Sequence, residues 1–320
     1  MSTNVSSTNV SDEEAIAREV FSPNTVTVNN FSNKKQIIVN TTDDESCLTL
    51  DIYRHHIYVD TLAKCGITSG NQILTMLDKL ADRMSNIKYI ELSDASEITI
   101  CSTDINLYML KLLTTGQSWY NSRGYFSNYD DPKSEKSRNK KIINMKYEEF
   151  VDLVYTQNLE NFKRNNSIEE FAKKLEWREN RLKRKDLSEK AITNSKNKIL
   201  EYQSIIDNYN TYINEQIDKY IKEQKDDIKN GNELFPDTNK TVEQYFNYIW
   251  NDIRNKRCDE HTTKKCKWFS KFISTINSSN IFQYDHILRK IVNQNGGGKR
   301  TGKKPIFSNR VKKTRRQRRN

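Results

Sequence analysis

The chain has 320 residues, of which 35% are hydrophobic and 30% charged, a composition typical of one or two soluble domains. No run of about 18 apolar residues occurs, and the first residues lack the basic-then-apolar pattern of a secretory signal. We therefore expect an intracellular protein without a membrane span. The cysteines are odd in number and scattered (Cys47, Cys65, Cys101, Cys258 and Cys266), which favours free thiols in a reducing compartment over a disulfide framework.

A leader and a strand-rich region open the chain. Residues 1–33 are rich in Ser, Thr and Asn, which predicts a disordered, low-complexity leader. Three β-branched and aromatic runs then predict strands: KQIIVN (35–40), CLTLDIYRHHIYVDTL (47–62) and IKYIELSD (87–94). Apolar spacing predicts helices over residues 69–84 and 104–113, and Ser69 with Gln72 predicts a capping box at the start of the first. We expect an α/β domain over residues 34–142.

Helical patterns replace the strand patterns after residue 142. An apolar stripe between Ile199 and Tyr220 predicts one long helix over residues 188–226, ended by NGNELFPD, and its length favours a helical hairpin or a coiled-coil contact. Two final helices, over 240–256 and 263–293, carry aromatic side chains that we assign to a core: Tyr245, Phe246, Trp250, Trp268, Phe269 and Phe272. The predicted fold class is α+β, with a mixed sheet and helices followed by an all-α, elongated helical domain over residues 143–293.

The formal net charge of +11 is concentrated at the C-terminal end. Residues 299–320 contain eleven Lys and Arg and no acid, and since the whole chain has 53 bases and 42 acids, residues 1–298 carry 42 of each. Such a segment cannot bury apolar surface, so we expect a disordered basic tail over residues 294–320. Its natural partners are polyanions, and the sequence leaves nucleic-acid binding, nuclear import and solubilisation open.

The stretch LLTTGQSWYNSRGYFS (112–127) groups three aromatic residues around two glycines in a chain rich in Lys and Asn. One interpretation is that the aromatic rings fill a core while Gly116 and Gly124 turn the backbone. The other is that Tyr120 points its hydroxyl into a functional site.

The order of strand, small-residue turn, helix, strand, helix and Tyr-x-x-x-Gly-aromatic resembles the central part of the GNAT N-acetyltransferase superfamily. In that family a Gly-rich turn holds the pyrophosphate of acetyl-CoA on backbone N–H groups at a helix N-terminus. Here YVDTLAKCGITSGNQIL (58–74) takes that place, with Cys65 and Thr68 where the family has Gln or Arg and its first Gly. The resemblance implies that the coenzyme-binding residues are Gly66, Thr68, Ser69, Gly70 and Asn71.

The same resemblance implies a catalytic role for Tyr120. The segment YNSRGY (120–125) fits the family's Tyr-x-x-x-Gly-Phe signature with one aromatic exchange. In the family this tyrosine commonly lies near the coenzyme sulfur and can protonate the leaving thiolate. A general base for the acceptor amine would be water or a carboxylate of the segment YIELSD, either Glu91 or Asp94. The implied function is an acetyl-CoA-dependent N-acetyltransferase with an unknown acceptor, or a descendant that has lost activity.

A second class of function stays open, namely a non-enzymatic structural or interaction protein. In that case the sheet is a scaffold, the long helices bind a protein partner, and residues 299–320 neutralise nucleic-acid phosphates. The stretch LTTGQSWYNSRGY and the basic tail also resemble proteins of large DNA viruses with unproven activity, which would place the protein in the host cytoplasm or nucleus or in the virion. The spacing of Cys258, His261 and Cys266 matches no common zinc pattern, so we predict no metal site.

Overall fold

A computed structural model describes residues 12–41, 45–63, 69–127, 131–184, 186–283 and 287–292. The described helices are α1 (Asp12–Val20), α2 (Gly70–Arg83), α3 (Leu107–Thr115), α4 (Pro132–Asn144), α5 (Tyr147–Asn165), α6 (Ile168–Leu182), α7 (Glu189–Asp207), α8 (Tyr209–Leu234), α9 (Val242–Arg254) and α10 (Glu260–Ser279). The described strands are β1 (Thr25–Asn30), β2 (Lys35–Asn40), β3 (Ser46–Ile52), β4 (His56–Leu62), β5 (Tyr89–Ser93), β6 (Glu97–Ile100), β7 (Thr103–Asn106), β8 (Phe126–Ser127) and β9 (Ile287–Ile291). The fold is therefore mixed α+β, as the sequence predicts.

Seven of these strands form one mixed sheet in the order β1-β2-β3-β4-β5-β9-β8. Within it β4 and β5 pair in parallel, whereas every other pairing among the described strands is antiparallel. A parallel pair needs a crossover connection, and α2 supplies it. Strands β6 and β7 form a separate hairpin between β5 and α3.

The predicted strand runs and the first predicted helix are confirmed, except that the run 47–62 is divided into the antiparallel strands β3 and β4 by a turn at residues 53–55. Alternation places Ile57 and Val59 of β4, with Ile90 and Leu92 of β5, on the buried face of the sheet. The apolar side of α2 is buried as well, and its capping box is present: Ser69 accepts from the Gln72 backbone N–H, and the Gln72 side chain accepts from the Ser69 backbone N–H. The local sequence pattern was therefore sufficient to predict this unit.

The predicted leader differs from the structure over its second half. Residues 12–20 form α1 and residues 25–30 form β1, the edge strand of the sheet. Three acidic residues in the first turn of α1 suit the positive end of the helix dipole, and Ala17, Phe21 and Val26 join the core. A composition rich in Ser, Thr and Asn concealed this short amphipathic helix, because only a few apolar residues are needed to anchor it.

The chain returns to the sheet after the helices, where we predicted a helix up to residue 293. Helix α10 ends at Ser279, and Asn280 adopts a left-handed conformation with φ 53° that stops it. Residues 287–291 instead form β9, which inserts between β5 and β8. Helices α4 to α10 therefore lie, in chain order, between two strands of one sheet. The cause is long-range pairing, which overrides local propensity.

The long predicted helix is divided into α7 and α8 at Asn208, and α8 continues through the predicted breaker to Leu234. Gly231 lies inside α8, where a Cβ atom would come within 2.2 Å of Trp268 Cζ2. The glycine therefore serves close packing of the indole rather than a helix end. The aromatic residues assigned to the core of α9 and α10 are buried, apart from half-buried Trp250.

Two cysteines predicted to be free are bonded to each other. Cys101, at the tip of the β6–β7 hairpin, forms a disulfide with Cys258 in the connection between α9 and α10, across 157 residues of sequence. Folding brings these two surface connections together, which scattered spacing could not indicate. Cys266 is free and buried. The prediction of free thiols is therefore wrong for Cys101 and Cys258, and also for Cys47, which is disulfide-bonded as well.

No helix among the described residues is both long and apolar enough to cross a membrane. Residues 293–320, which include the predicted basic tail, lie outside the described ranges. The sheet and the helices share one continuous hydrophobic cluster that runs from Ala17 through α3, α5, α9 and α10 to Leu288.

Candidate functional site at the carboxyl ends of β4 and β5

The parallel pair brings two strand ends and a helix start to one edge of the sheet. The carboxyl ends of β4 and β5, at Leu62 and Ser93, lie at the same edge because the strands run in the same direction. Helix α2 runs back along the sheet from β4 to β5, so its N-terminus lies at that edge too. In open α/β sheets, ligands bind outside the carboxyl ends of the strands, where the strand order changes direction.

The first turn of α2, which is described from Ser69 onward, has the features of an anion site. Ser69 caps the helix, Ser69 and Asn71 are exposed, and no acidic residue lies in the first turn. The first N–H groups of a helix have no acceptor within the helix and carry its positive dipole end. Gly66 and Thr68, the other predicted phosphate residues, lie outside the described residues, as does Cys65.

Gly70 has a role that the sequence did not reveal. A Cβ atom built at this position would lie 3.1 Å from Cη2 of Trp119. The indole therefore packs against the start of α2, and a side chain at position 70 would press on it. An anion approaching this helix end has access from Ser69 and Asn71, whereas Trp119 closes the Gly70 side.

The loop that follows α3 is held by a buried polar network. Gly116 and Gly124 adopt φ values of 71° and 88°, which only glycine tolerates well, so the predicted turning role is confirmed. The Asn121 side chain accepts from the Ser118 N–H at 2.9 Å and donates to the Tyr125 carbonyl at 2.9 Å. It also donates to the carboxylate of Glu135 in α4 at 3.0 Å. Glu135 is only 2% exposed.

Tyr120 is fixed by this loop between two aromatic neighbours. Its ring meets Trp119 edge-on at 4.8 Å and Tyr125 at 6.1 Å between centroids. Burial, followed by the negative charge of Asp94, raises the pKa of Tyr120 to about 12. The hydroxyl is therefore protonated at neutral pH and is available as a hydrogen-bond donor.

Asp94 lies just past the end of β5 and is 1% exposed. Its carboxylate accepts hydrogen bonds from the Ser96 hydroxyl at 2.7 Å and from the Ser96 N–H at 3.4 Å. Burial and Asp94 also raise the pKa of Tyr108, whose hydroxyl donates to Asn277 of α10 at 2.6 Å. One buried carboxylate therefore acts on two tyrosines at this end of the sheet.

Glu91 is not part of this group. It lies on the face of β5 opposite Ile90 and Leu92, and its carboxylate accepts from Arg289 Nε on β9 at 2.6 Å. The charge of Asp94 therefore acts on Tyr120, whereas the other predicted base, Glu91, lies on the far face of the sheet.

Three further groups at this site carry no simple sequence signal. Lys290 of β9 forms a salt bridge with Asp78 of α2 at 2.6 Å, and its ammonium lies 5.5 Å from the centroid of the Tyr125 ring. The Tyr125 hydroxyl is buried and has no hydrogen-bond partner among the described residues. These contacts depend on β9 entering the sheet, so only a correct prediction of that strand could have revealed them. Trp119, by contrast, directly precedes Tyr120, so its position in the sequence could have indicated it.

No protein-family model, curated protein or solved structure matches this chain.

Proposed function

We propose that the chain is an acyl-CoA-dependent N-acyltransferase of the GNAT type, or a descendant that keeps the coenzyme site without turnover. The observation that carries the proposal is the convergence, at one end of the only parallel strand pair among the described strands, of the α2 N-terminus, Tyr120 and Asp94. Ligands of α/β sheets commonly bind at the carboxyl ends of parallel strands, which is the end where these groups lie.

The described residues fit the phosphate part of such a coenzyme. The backbone N–H groups of Gly70 and Asn71 have no acceptor within the helix, and no acid lies in its first turn, so a pyrophosphate would gain hydrogen bonds and a favourable dipole. When bound, the coenzyme supplies a thioester-activated acyl group. Trp119 packs against one side of the helix end.

Tyr120 acts in this proposal as a donor to the leaving sulfur. A phenol whose pKa is about 12 is a weaker acid than a thiol, whose pKa is about 8.5. Complete proton transfer from the Tyr120 hydroxyl to the leaving thiolate is therefore unfavourable. A hydrogen bond from the hydroxyl still stabilises negative charge that develops on sulfur. The charge of Asp94 acts on this hydroxyl, whereas its buried carboxylate is already bonded to Ser96, so water is the base for the acceptor amine in this proposal.

Acetyl-CoA titration of the full chain tests the coenzyme site. Thermal unfolding should show stabilisation of about 2.7 kcal/mol at a hundredfold excess over Kd. Asn71→Asp should keep the fold, because an acid in the first turn suits the helix dipole, yet it should abolish this stabilisation by repelling phosphate. The matched control is Asn210→Asp, the same exchange at the second residue of α8, also exposed. Equal responses in both variants would contradict the phosphate site.

Tyr120→Phe tests the chemistry separately from binding. Turnover with an amine acceptor should fall at least tenfold, while acetyl-CoA stabilisation should be unchanged because the ring remains. Unchanged turnover would remove Tyr120 from the reaction. Stabilisation by acetyl-CoA without turnover in the parent chain would identify the inactive descendant.

We also propose, as the alternative, a non-enzymatic protein that binds nucleic acid through residues 299–320. The supporting observation is the segregation of charge, since residues 1–298 are formally neutral. Gel-shift titrations at two salt concentrations should show affinity that falls steeply with salt and disappears on truncation after Gly298. Equally tight binding by the truncated chain would move the polyanion site to a folded face.

A further inference from the structure

Helix α6 carries a local excess of positive charge. Residues 173–184, which include most of this helix and the turn after it, contain six Lys and Arg against two acids, whereas residues 1–298 as a whole are formally neutral. No residue of the proposed acyl-CoA site lies in this segment. The segment is therefore a separate candidate for contact with an anion.

Three of these cations lie on one side of α6. Lys174, Arg178 and Arg181 are spaced by four and three residues, and this spacing brings them to the same side of the helix, with Trp177 among them. Since an α-helix has about 3.6 residues per turn, the two acids of the segment project from the opposite side. We call these four residues on one side of the helix the α6 face.

The cations of the α6 face are not neutralised by acids. Lys174, Arg178 and Arg181 form no salt bridge with a described residue. The Lys174 ammonium donates instead to an uncharged acceptor, the carbonyl oxygen of Asn165, at 3.4 Å. By contrast, Lys173 lies outside the face and forms an ion pair with an acid of the preceding turn. Three positive charges of the face therefore remain available to an anion.

Trp177 is exposed between these cations. It is 45% exposed, although tryptophan is on average one of the more buried residues. The guanidinium carbon of Arg178 lies 4.9 Å from the centroid of its ring, and that of Arg181 lies 5.4 Å away. These cation–π contacts hold both guanidinium groups beside the ring before a ligand binds, which lowers the entropic cost of binding. The α6 face therefore offers a flat aromatic surface and preorganised positive charge at the same place.

Single-stranded nucleic acid has the two properties that this face matches. Its bases stack on aromatic rings and on guanidinium planes, and its phosphates pair with Lys and Arg. In a duplex the base faces are stacked on one another, so only the phosphates would be used. An acidic protein segment would supply carboxylates without a row of flat rings. The exposed indole therefore favours a single strand over both.

We propose that the α6 face binds single-stranded nucleic acid, with stacking at Trp177 and phosphate contacts at Lys174, Arg178 and Arg181. The contact rests on the nucleic-acid function proposed for residues 299–320, because three cations and one ring bind weakly on their own. On the full chain the tail raises the effective concentration of a bound strand at the face. The 28 residues after Val292 can span at most roughly 90–100 Å, which allows tail and face to hold one strand.

Fluorescence anisotropy of the full-length chain with labelled oligo(dT), oligo(U) and a DNA duplex of equal length tests the stacking contact. Trp177→Ala should lower the affinity for the single strands at least fivefold and the affinity for the duplex less than twofold, because only single strands offer free base faces. The tighter-bound single strand identifies DNA or RNA as the ligand. The matched control is Phe31→Ala, which should bind like the parent chain. Phe31 is 53% exposed and also has a cation over its ring, Lys34, but that cation is paired with Asp51.

The double variant Arg178→Gln/Arg181→Gln tests the phosphate contacts. It should lower the affinity for oligo(dT) at least fivefold and reduce the slope of log affinity against log salt by about 1.4, as expected for two lost contacts to a single strand. The matched control is Arg254→Gln/Arg257→Gln, which removes two exposed arginines with the same spacing at and after the end of α9. The control should bind within twofold of the parent chain.

Three results would overturn the proposal. They are an unchanged affinity of Trp177→Ala for both single strands, an equal loss for single strand and duplex, and equal effects of the two arginine double variants. Failure of the tail gives a different result, since truncation after Gly298 would then leave the affinity for nucleic acid unchanged. The α6 face and the tail are therefore tested independently on one chain.

Discussion

The loop that carries Tyr120 differs in burial from the segment formed by α6, α7 and α8. The loop is held by buried side chains, whereas the side chains of the three helices are almost all exposed or half-buried. In the loop, buried Asn121 and Glu135 tie the backbone to a neighbouring helix. In the three helices, the only buried side chains are Phe171 and Ser195, with Gly231 buried near the C-terminal end of α8. A site needs preorganised groups, so the loop is the better place for chemistry and the long helices are the better place for contacts with other molecules.

If this contrast is correct, a large loss of stability should come from Gly231, where α8 meets the core. Gly231→Ala should destabilise the protein by about 3 kcal/mol, because its Cβ would lie 2.2 Å from a buried indole carbon. Denaturant unfolding measures this loss. Asn230→Ala, an exposed neighbour in the same helix, should change stability little. A small effect at Gly231 would mean that Trp268 is free to move.

A smaller but distinct loss is expected at Glu135. Glu135→Ala removes the acceptor of the Asn121 amide and of the Ser127 N–H, and we expect a loss of about 2 kcal/mol from these buried donors. Glu135→Gln keeps a carbonyl oxygen and should lose less. Near-ultraviolet circular dichroism should report the loosened aromatic loop. If both variants were as stable as the parent chain, the network would not be what holds the loop.

Alkaline pH should weaken the fold through its buried tyrosines. The pKa values of Tyr120 and Tyr245 are raised to about 12, in both cases mainly by burial. The folded state therefore holds these protons more tightly than the unfolded state, whose tyrosines titrate near 10. Stability should be complete below about pH 10 and fall as pH rises towards 12. Phenolate absorbance that rises fully near pH 10, without unfolding, would contradict this burial.

The smallest effect should occur in the exposed helices. Leu200 of α7 is 67% exposed, so Leu200→Ala should change the free energy of unfolding by at most about 0.5 kcal/mol. The matched exchange Leu77→Ala, in the buried face of α2, should cost about 2–5 kcal/mol. A large loss at Leu200, measured by the same denaturant titration, would show that another surface covers α7.

The comparison also explains which parts of the structure could be predicted from the sequence. The strands, α2 and its capping box follow from local spacing, because each signal lies within a few residues. The position of β9 and the disulfide of Cys101 depend on partners far away in the chain. Local periodicity contains no information about such partners, so the sequence indicated a helix and free thiols instead.

The same limit applies to the candidate site. Tyr120 and the first turn of α2 lie in recognisable local motifs, whereas the choice between Glu91 and Asp94 depended on the face of the sheet and on the position of Arg289. The packing of Trp119 on Gly70 joins two elements separated by 49 residues. Only the fold could identify these relations.

The central claim is that the sheet edge at the carboxyl ends of β4 and β5 binds an acyl-CoA. Hydrogen–deuterium exchange of the full chain, with and without acetyl-CoA, tests it most directly. We predict slower exchange in the first turn of α2 and in residues 117–125, with no change in α6 and α7. Unchanged exchange at both site segments under saturating acetyl-CoA, or protection confined to the helices α6 to α8, would contradict the account.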